Sequence, residues 1–283
     1  MERVSDPRSL QERTLAWRGQ GERVGFVPTM GALHEGHLSL VKAAMESCDR
    51  VVVSIFVNPL QFGPGEDLDN YPRDMDRDIA LLSGMGIDAL FFPTKDSIYP
   101  LGHQTRIRVE ELTQGMCGAS RLGHFEGVAT VVAILLQIVL PHRAYFGKKD
   151  YQQWRVIERM AADLFMPVEI CGAPIVRDVD GLALSSRNNY LSDDERGRAL
   201  SLSRALSSVR ELYNDGERRA DALLSEARAI IEEAVDRVDY IELRHALTLR
   251  KVTILQEDSV LCVAAFVGNT RLIDNLEIPR SVN

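Results

Sequence analysis

The stretch RVGFVPTMGALHEGHLSLVKAAMESCDRVVVSIFVN, residues 23–58, changes its hydrophobic period twice and so decides the fold. Arg23 to Val27 reads as a strand, after which Leu38, Val41, Ala44, Met45 and Cys48 recur at helical spacing. Val51 to Asn58 then runs β-branched and apolar without a break, the composition of a strand covered on both faces. Between the first strand and the helix lies PTMGALHEGH, residues 28–37, with two histidines three positions apart, each close to a glycine.

The same alternation continues along the chain. An amphipathic helix precedes Arg23. Further on come a helix near Asp74 to Met85, a strand at Asp88 to Phe92, a helix from Val128 to Leu140, a strand at Arg143 to Phe146, a helix from about Tyr151 to Phe165 and a strand at Val168 to Cys171. Apolar strands alternating with helices predict an α/β fold, a Rossmann-like doubly wound parallel sheet with helices on both faces and right-handed crossovers. Ligands of such sheets collect at the carboxyl ends of the strands, so the loops after Val27, Phe56 and Phe146 are expected to converge. Past Ala173-Pro174 the composition shifts to the Gly/Ser/Asn-rich DVDGLALSSRNNYLS. Two strongly charged helices follow, near Asp193 to Asn214 and Ala220 to Ala234, with short strands around Asp239 to Leu243 and Val260 to Val267. Two domains are expected: residues 1–175, Rossmann-like, and residues 176–283, a smaller α+β domain.

Charge narrows the partners. Against 33 Lys and Arg stand 41 Asp and Glu, a formal charge of −8, which argues against nucleic-acid or anionic-membrane binding because both rely on basic surfaces. The longest apolar stretch, Val128 to Leu140, is broken by Gln137 and falls short of the ~20 residues of a membrane span. Cys48, Cys117, Cys171 and Cys262 are far apart and form no CxxC pair, which suits buried thiols in a reducing compartment. The opening segment, MERVSDPRSLQERTL, has neither an apolar middle nor an acid-poor composition, and a soluble, cytoplasmic protein is expected.

PTMGALHEGH sets its histidines where a strand hands over to a helix. A helix N-terminus offers unpaired N–H groups and partial positive charge, both suited to phosphate oxygens. Gly36 allows a base or ribose to lie against the backbone, and His34 and His37, on one helical face, can donate to phosphate. A metal pair and two packed structural histidines are the competing readings, and no third ligand stands nearby for the first. Neither GxGxxG after the first strand nor GxxxxGK[ST] anywhere is present, so a nucleotide needs this other device. Downstream, VNPLQF leaves the second strand with the amides Asn58 and Gln61, able to donate and accept without protonating a substrate. FGKKDYQQ, residues 146–153, opens a helix with Lys149 as a mobile charge, Asp150 suited to a ribose hydroxyl and Gln153 one turn on. LSSRN, residues 184–188, offers two hydroxyls and a guanidinium for a triphosphate in a segment able to close over it. Taken singly, a turn amide, a solvated helix start and a polar loop explain these three motifs as well.

In this order, PTMGALHEGH, SIFVNPLQF, FGKKDYQQ and GLALSSRN resemble the pantothenate synthetase family, ATP-dependent ligases of pantoate and β-alanine, over nearly the whole chain. HxGH alone is shared with the wider nucleotidylyl-transferase superfamily, class I aminoacyl-tRNA synthetases included. The resemblance implies ATP at Met30, Gly31, Ala32, Leu33, His34, Glu35, Gly36 and His37, at Gly147, Lys148, Lys149 and Asp150, and at Val176, Leu184, Ser185, Ser186 and Arg187. It implies pantoate at Gln61 and Gln153; Asn58 and Arg121 join them as candidate substrate contacts, and His34, His37, Lys149 and Arg187 form the candidate catalytic set. It also implies Mg²⁺ with ATP, a pantoyl-adenylate intermediate, release of AMP and pyrophosphate, and a homodimer. Asp74, Asp76 and Asp78 admit a reading as Mg²⁺ ligands beside that of a charged helix start. Two positions depart from the family pattern: Lys148, where many relatives carry an acid or amide, and Glu126, where arginine is often found. The alternatives are a nucleotidyltransferase that moves AMP onto a phosphorylated vitamin precursor and a nucleotide-binding module without turnover.

Overall fold

A computed structural model of the chain describes residues 1–280; the last three residues of the expected second domain, 281–283, lie outside them. Elements run in the order β1 (Glu2–Val4), α1 (Pro7–Gly19), β2 (Val24–Thr29), α2 (Glu35–Ser47), β3 (Arg50–Ile55), α3 (Met75–Met85), β4 (Ala89–Phe91), α4 (Lys95–Ile98), α5 (Met116–Ser120), α6 (His124–Val139), β5 (Arg143–Gly147), α7 (Tyr151–Asp163) and β6 (Glu169–Ala173). There follow α8 (Asp193–Asn214), α9 (Ala220–Glu232), β7 (Arg237–His245), β8 (Ser259–Val267) and β9 (Thr270–Ile278). The chain divides into two compact units: 1–113, 121–148 and 153–174 form the first, and 114–120, 149–152 and 175 onward the second.

The first unit holds a six-stranded sheet in the order β1-β4-β3-β2-β5-β6, and every neighbouring pair is parallel. β3 shows why these strands read as unbroken apolar runs. Val52 enters a core with Phe26, Val128, Val132 and Ile157, while Val51 and Val53 enter another with Val27, Val41 and Leu82. Side chains of a strand alternate faces, so α1, α6 and α7 cover one side of the sheet and α2 and α3 the other. Each such side chain, fully buried, stabilises the fold by about 1.5–3 kcal/mol relative to exposure. The sheet grows from β2 through β3 to β4 in one direction and continues with β5 on the opposite side of β2. That reversal is a topological switch point, where such sheets bind ligands beyond their strand ends. β1 pairs with β4 and was not anticipated, three residues being too few to show a period.

In the second unit α8 and α9 bury Leu202, Leu206, Val209, Leu223 and Ile231 against an antiparallel sheet β7-β8-β9. Ser192 and Glu195 close a reciprocal cap on α8. The short segments 114–120 and 149–152 join this unit through specific bonds: Tyr151 Oη donates to Ala246 O at 3.2 Å, and Gln152 Nε2 to Gly115 O at 3.2 Å. Among the described residues no helix is long and apolar enough to cross a membrane.

Candidate active site

The turn that follows β2 is held by one carboxylate. Thr29 Oγ1 donates to Ser54 O at 2.8 Å and accepts from Gly31 N at 3.2 Å. Gly31 and then Ala32 adopt positive φ, 83° and 51°. A left-handed alanine is unfavourable by itself. Here the N–H groups of Ala32 and Leu33 each donate to Asp78 at 2.8 Å, and that side chain, one turn into α3, is buried. Charge-assisted bonds to two successive amides fix the turn. Burial pushes the Asp78 carboxyl above its ordinary value, and the two amide bonds offset only part of that rise. Asp78, a candidate Mg²⁺ ligand from sequence, thus turns both oxygens to backbone donors, whereas Asp74 caps α3 by accepting from Arg77 N and Asp76 lies in its first turn. A signal for this was present: Asp78 is in phase with buried Leu82 on α3.

The histidines cap α2 reciprocally. His34 is the N-cap and its Nδ1 accepts from Gly36 N at 3.1 Å; His37 Nδ1 accepts from His34 N at 3.4 Å, the rings 4.1 Å apart between centroids. This is a capping box made from imidazoles rather than hydroxyl and carboxylate. Because each Nδ1 is an acceptor, each neutral ring carries its proton on Nε2. The structural and the phosphate-donor readings of the pair therefore use different nitrogens and do not compete.

Beside this turn, the loop after β3 presents Gln61 from the tight turn Pro59–Gln61. Gln61 is 8% exposed; its Nε2 lies 3.1 Å from Met30 Sδ and its Oε1 accepts from Asn58 Nδ2 at 3.0 Å. The loops after β2 and β3 thus meet, as expected from sequence. Asn58 is engaged throughout: Nδ2 also donates to Gly127 O, and Oδ1 accepts from Leu60 N and from Tyr99 Oη at 2.7 Å. Burial pushes the Tyr99 hydroxyl above its usual range, so it stays a neutral donor. Asn58, a substrate contact by expectation, braces Gln61 in this structure. Arg121 likewise pairs with Glu66 at 2.6 Å and reaches Gln61 O at 3.4 Å, while His124 Nδ1 stands 2.8 Å from the same carbonyl. Burial opposes the Glu66 charge, yet the Arg121 bonds outweigh it and hold this carboxyl below its ordinary value. Gly127 is required here: a Cβ on it would lie 2.2 Å from Leu60 O.

β5 ends beside β2, and its turn carries Gly147 and Lys148 in the first unit. The Lys148 ammonium stands 5.0 Å over the Trp154 ring, a contact that a residue of opposite charge would not make. Glu126, the other departure, faces Arg106 on the surface at 3.9 Å. Gln153 belongs to the first unit; Lys149 and Asp150 belong to the second. There Ser185 caps the short turn Ser186–Tyr190 by accepting from Arg187 N at 3.3 Å, with Ser186 buried. Val176 O accepts from Leu184 N at 3.0 Å, so the segment that carries these residues folds back on itself. No group of three or more His, Cys, Asp or Glu able to hold a metal ion occurs among the described residues.

A doubly wound parallel sheet with a histidine cap on the helix beside its switch point defines an α/β protein whose ligand site lies at the carboxyl ends of its strands. More particularly, the chain belongs to the pantoate-beta-alanine ligase family, whose sequence model matches residues 2–277. It is an enzyme, and pantoate–β-alanine ligation is its activity. The pantothenate synthetase of Sulfurihydrogenibium sp. (strain YO3AOP1) is 48% identical over 279 residues, 98% of this chain and 100% of that protein. The crystal structure of pantothenate synthetase from Thermus thermophilus superposes with a TM-score of 0.93 at 48% identity, covering 99% of this chain and 100% of that one. The pantoate-beta-alanine ligase of Francisella tularensis, solved with beta-gamma ATP and beta-alanine, gives a TM-score of 0.78 at 34% identity, covering 98% and 97%.

Proposed function

We propose that ligation runs through a pantoyl adenylate. A carboxylate oxygen of pantoate attacks the α-phosphorus of ATP; the bond from that phosphorus to the bridging oxygen breaks and pyrophosphate leaves. The neutral amine of β-alanine then attacks the acyl carbon, the C–N bond forms, the nitrogen gives up a proton to solvent, the acyl C–O bond breaks and AMP departs. A free carboxylate would have to expel oxide, whereas the adenylate expels a stabilised phosphate, so ATP supplies the driving force. No covalent bond to the protein is needed, and the work of the chain is alignment and stabilisation of charge.

The observation that supports this best is the His34–His37 cap, which commits both Nδ1 atoms to the backbone and leaves Nε2–H as the donor on each ring. On this reading His34 and His37 donate to ATP phosphate oxygens as negative charge grows on them, His37 also serving as proton donor to the leaving group. Met30 to Leu33, Glu35 and Gly36 supply the adjoining backbone, and Gly147, Lys148 and Asp150 line the nucleotide with Val176 and Leu184. Lys149, Ser185, Ser186 and Arg187 clamp phosphate, while Gln61 and Gln153 hold pantoate. Asn58 and Arg121 join them as substrate contacts, and both also touch Gln61. Mg²⁺ enters as the counterion of the ATP phosphates, which suits a cation that keeps most of its water and takes few protein ligands. A cytoplasmic homodimer completes the proposal: ATP as substrate and four unpaired thiols fit a reducing compartment. The homodimer rests on the family resemblance, and sizing with light scattering checks it.

The experiment is His37→Ala in single turnover with ATP and pantoate alone. Pyrophosphate release should slow by ~10²–10³-fold, the loss typical of one donor to developing charge, with pantoate affinity little changed. Near-normal release in that variant would remove His37 from the chemistry. The transferase alternative is not favoured, and free AMP, rather than a nucleotide-linked product, separates the two.

A further inference from the structure

We infer that Asp274 and Asn275, adjacent on β9, are positioning residues for the phosphate contacts of the second unit. The inference rests on the proposed assignment of Lys149 and of Ser185 to Arg187 to ATP phosphate. Asn275 Nδ2 donates to the main-chain oxygen of Lys149 at 3.0 Å, across 126 positions of sequence. Asp274 takes both terminal nitrogens of Arg177, at 2.6 and 2.9 Å, and accepts from Asn275 N at 2.8 Å. The two side chains belong to residues only 3% and 5% exposed.

Arg177 transmits this anchor to the segment that binds phosphate. Its guanidinium also donates to Gly181 O at 3.1 Å, and its backbone bridges to Ala183, directly before Leu184. Asn188 Nδ2 returns to Ala183 O at 3.1 Å. The turn leading into Leu184 to Arg187 is thus closed on both sides and fixed at its base to Asp274. Successive residues of a strand face opposite ways, so one dipeptide can serve two separate segments. A buried aspartate held by a bidentate arginine and a buried amide aimed at a carbonyl are geometrically demanding contacts. They fix the backbone of Lys149 from β9, whereas β5 fixes only the residues before it.

The test uses the full-length enzyme and follows pantoate-dependent pyrophosphate release with ATP varied. Asn275→Asp keeps the shape but sets an acceptor against the Lys149 carbonyl; Asn275→Ala serves if that variant does not fold. Either should lower kcat/KM for ATP about tenfold and leave KM for pantoate within about twofold, since only one buried donor is lost. In a Lys149→Ala background the Asn275 substitution should cost less than about twofold more, because a residue acting through another is silent once the other is gone. Asp274→Asn should behave the same way against Arg187→Ala. Additive losses, or equal effects on ATP and pantoate, mean a merely structural role and overturn the inference while the ATP assignment stands. Normal ATP kinetics in Lys149→Ala overturn both.

Discussion

Replacing Asp78 by asparagine separates the order of the β2–α2 turn from the stability of the fold. The substitution keeps the side-chain volume, removes the charge and turns an amide donor toward one of two N–H groups now bonded at 2.8 Å. Hydrogen bonds to a charged partner contribute about 1.5–3 kcal/mol and neutral ones about 1, so the turn loses on the order of 2 kcal/mol of restraint. Ala32 sits at φ 51° and is the residue released. If the chemical step needs that turn in place, about 2 kcal/mol corresponds to a ~30-fold slower adenylation. The effect on global stability runs the other way. Burial raises the Asp78 carboxyl above the usual 3.8, so its contribution to stability is full below that value and is lost as pH rises through the raised one. At neutral pH the ionised group is a net cost to the fold, which asparagine does not incur. Thermal unfolding of Asp78→Asn should therefore stay within about 4 °C of the parent, the span of roughly 1 kcal/mol at this size. On the acid side the parent's rate should fall as Asp78 takes up its proton, at higher pH than for an ordinary aspartate, and the variant should lack that limb. Stopped-flow pyrophosphate release, calorimetry and a pH–rate profile measure all three. A variant with the parent's rate, or one that melts far lower while its folded fraction reacts normally, refutes the reasoning.

Gly127→Ala forces a Cβ to within 2.2 Å of Leu60 O and 2.7 Å of Gln61 N, so the two backbones must part. An overpacked site of this kind costs about 1–3 kcal/mol, and KM for pantoate should rise more than KM for ATP; kinetics and melting both unchanged would mean the close approach is not there in solution. Glu66 is held below its ordinary 4.5, so its pairing with Arg121 stabilises above that value and is lost as pH falls through the lowered one. The stability of the parent minus that of Glu66→Gln should therefore shrink as pH falls below the ordinary 4.5, and a difference that stays constant on acidification would contradict the pairing.

The parallel sheet was legible because its central strands β2 and β3 bury both faces while a helix such as α2 buries one, which leaves two distinct periods in the sequence. β9 was not. Its alternation is broken where Asp274 and Asn275 are buried beside Ile273 and Leu276, so polar residues occupy positions that a pattern reads as exposed. The histidine pair was legible as a motif, but its role as a helix cap depends on which nitrogen meets which amide, a matter of backbone geometry. Asn58 and Arg121 were expected from sequence as substrate contacts. What the sequence could not convey is that Gly127 and Tyr99 bond Asn58 and that Glu66 pairs with Arg121, each from a position remote along the chain. Asp78 was read from its neighbours Asp74 and Asp76, although its phase with Leu82 set it apart.

The central claim, that pantoate's own carboxylate becomes the bridge to AMP, is tested most directly by oxygen tracing. With pantoate labelled by oxygen-18 in its carboxylate, ATP and β-alanine, mass spectrometry of the products should find one labelled oxygen in AMP for each pantothenate formed. Unlabelled AMP, with the label in pyrophosphate, in inorganic phosphate or wholly retained in pantothenate and released pantoate, would contradict the adenylate route.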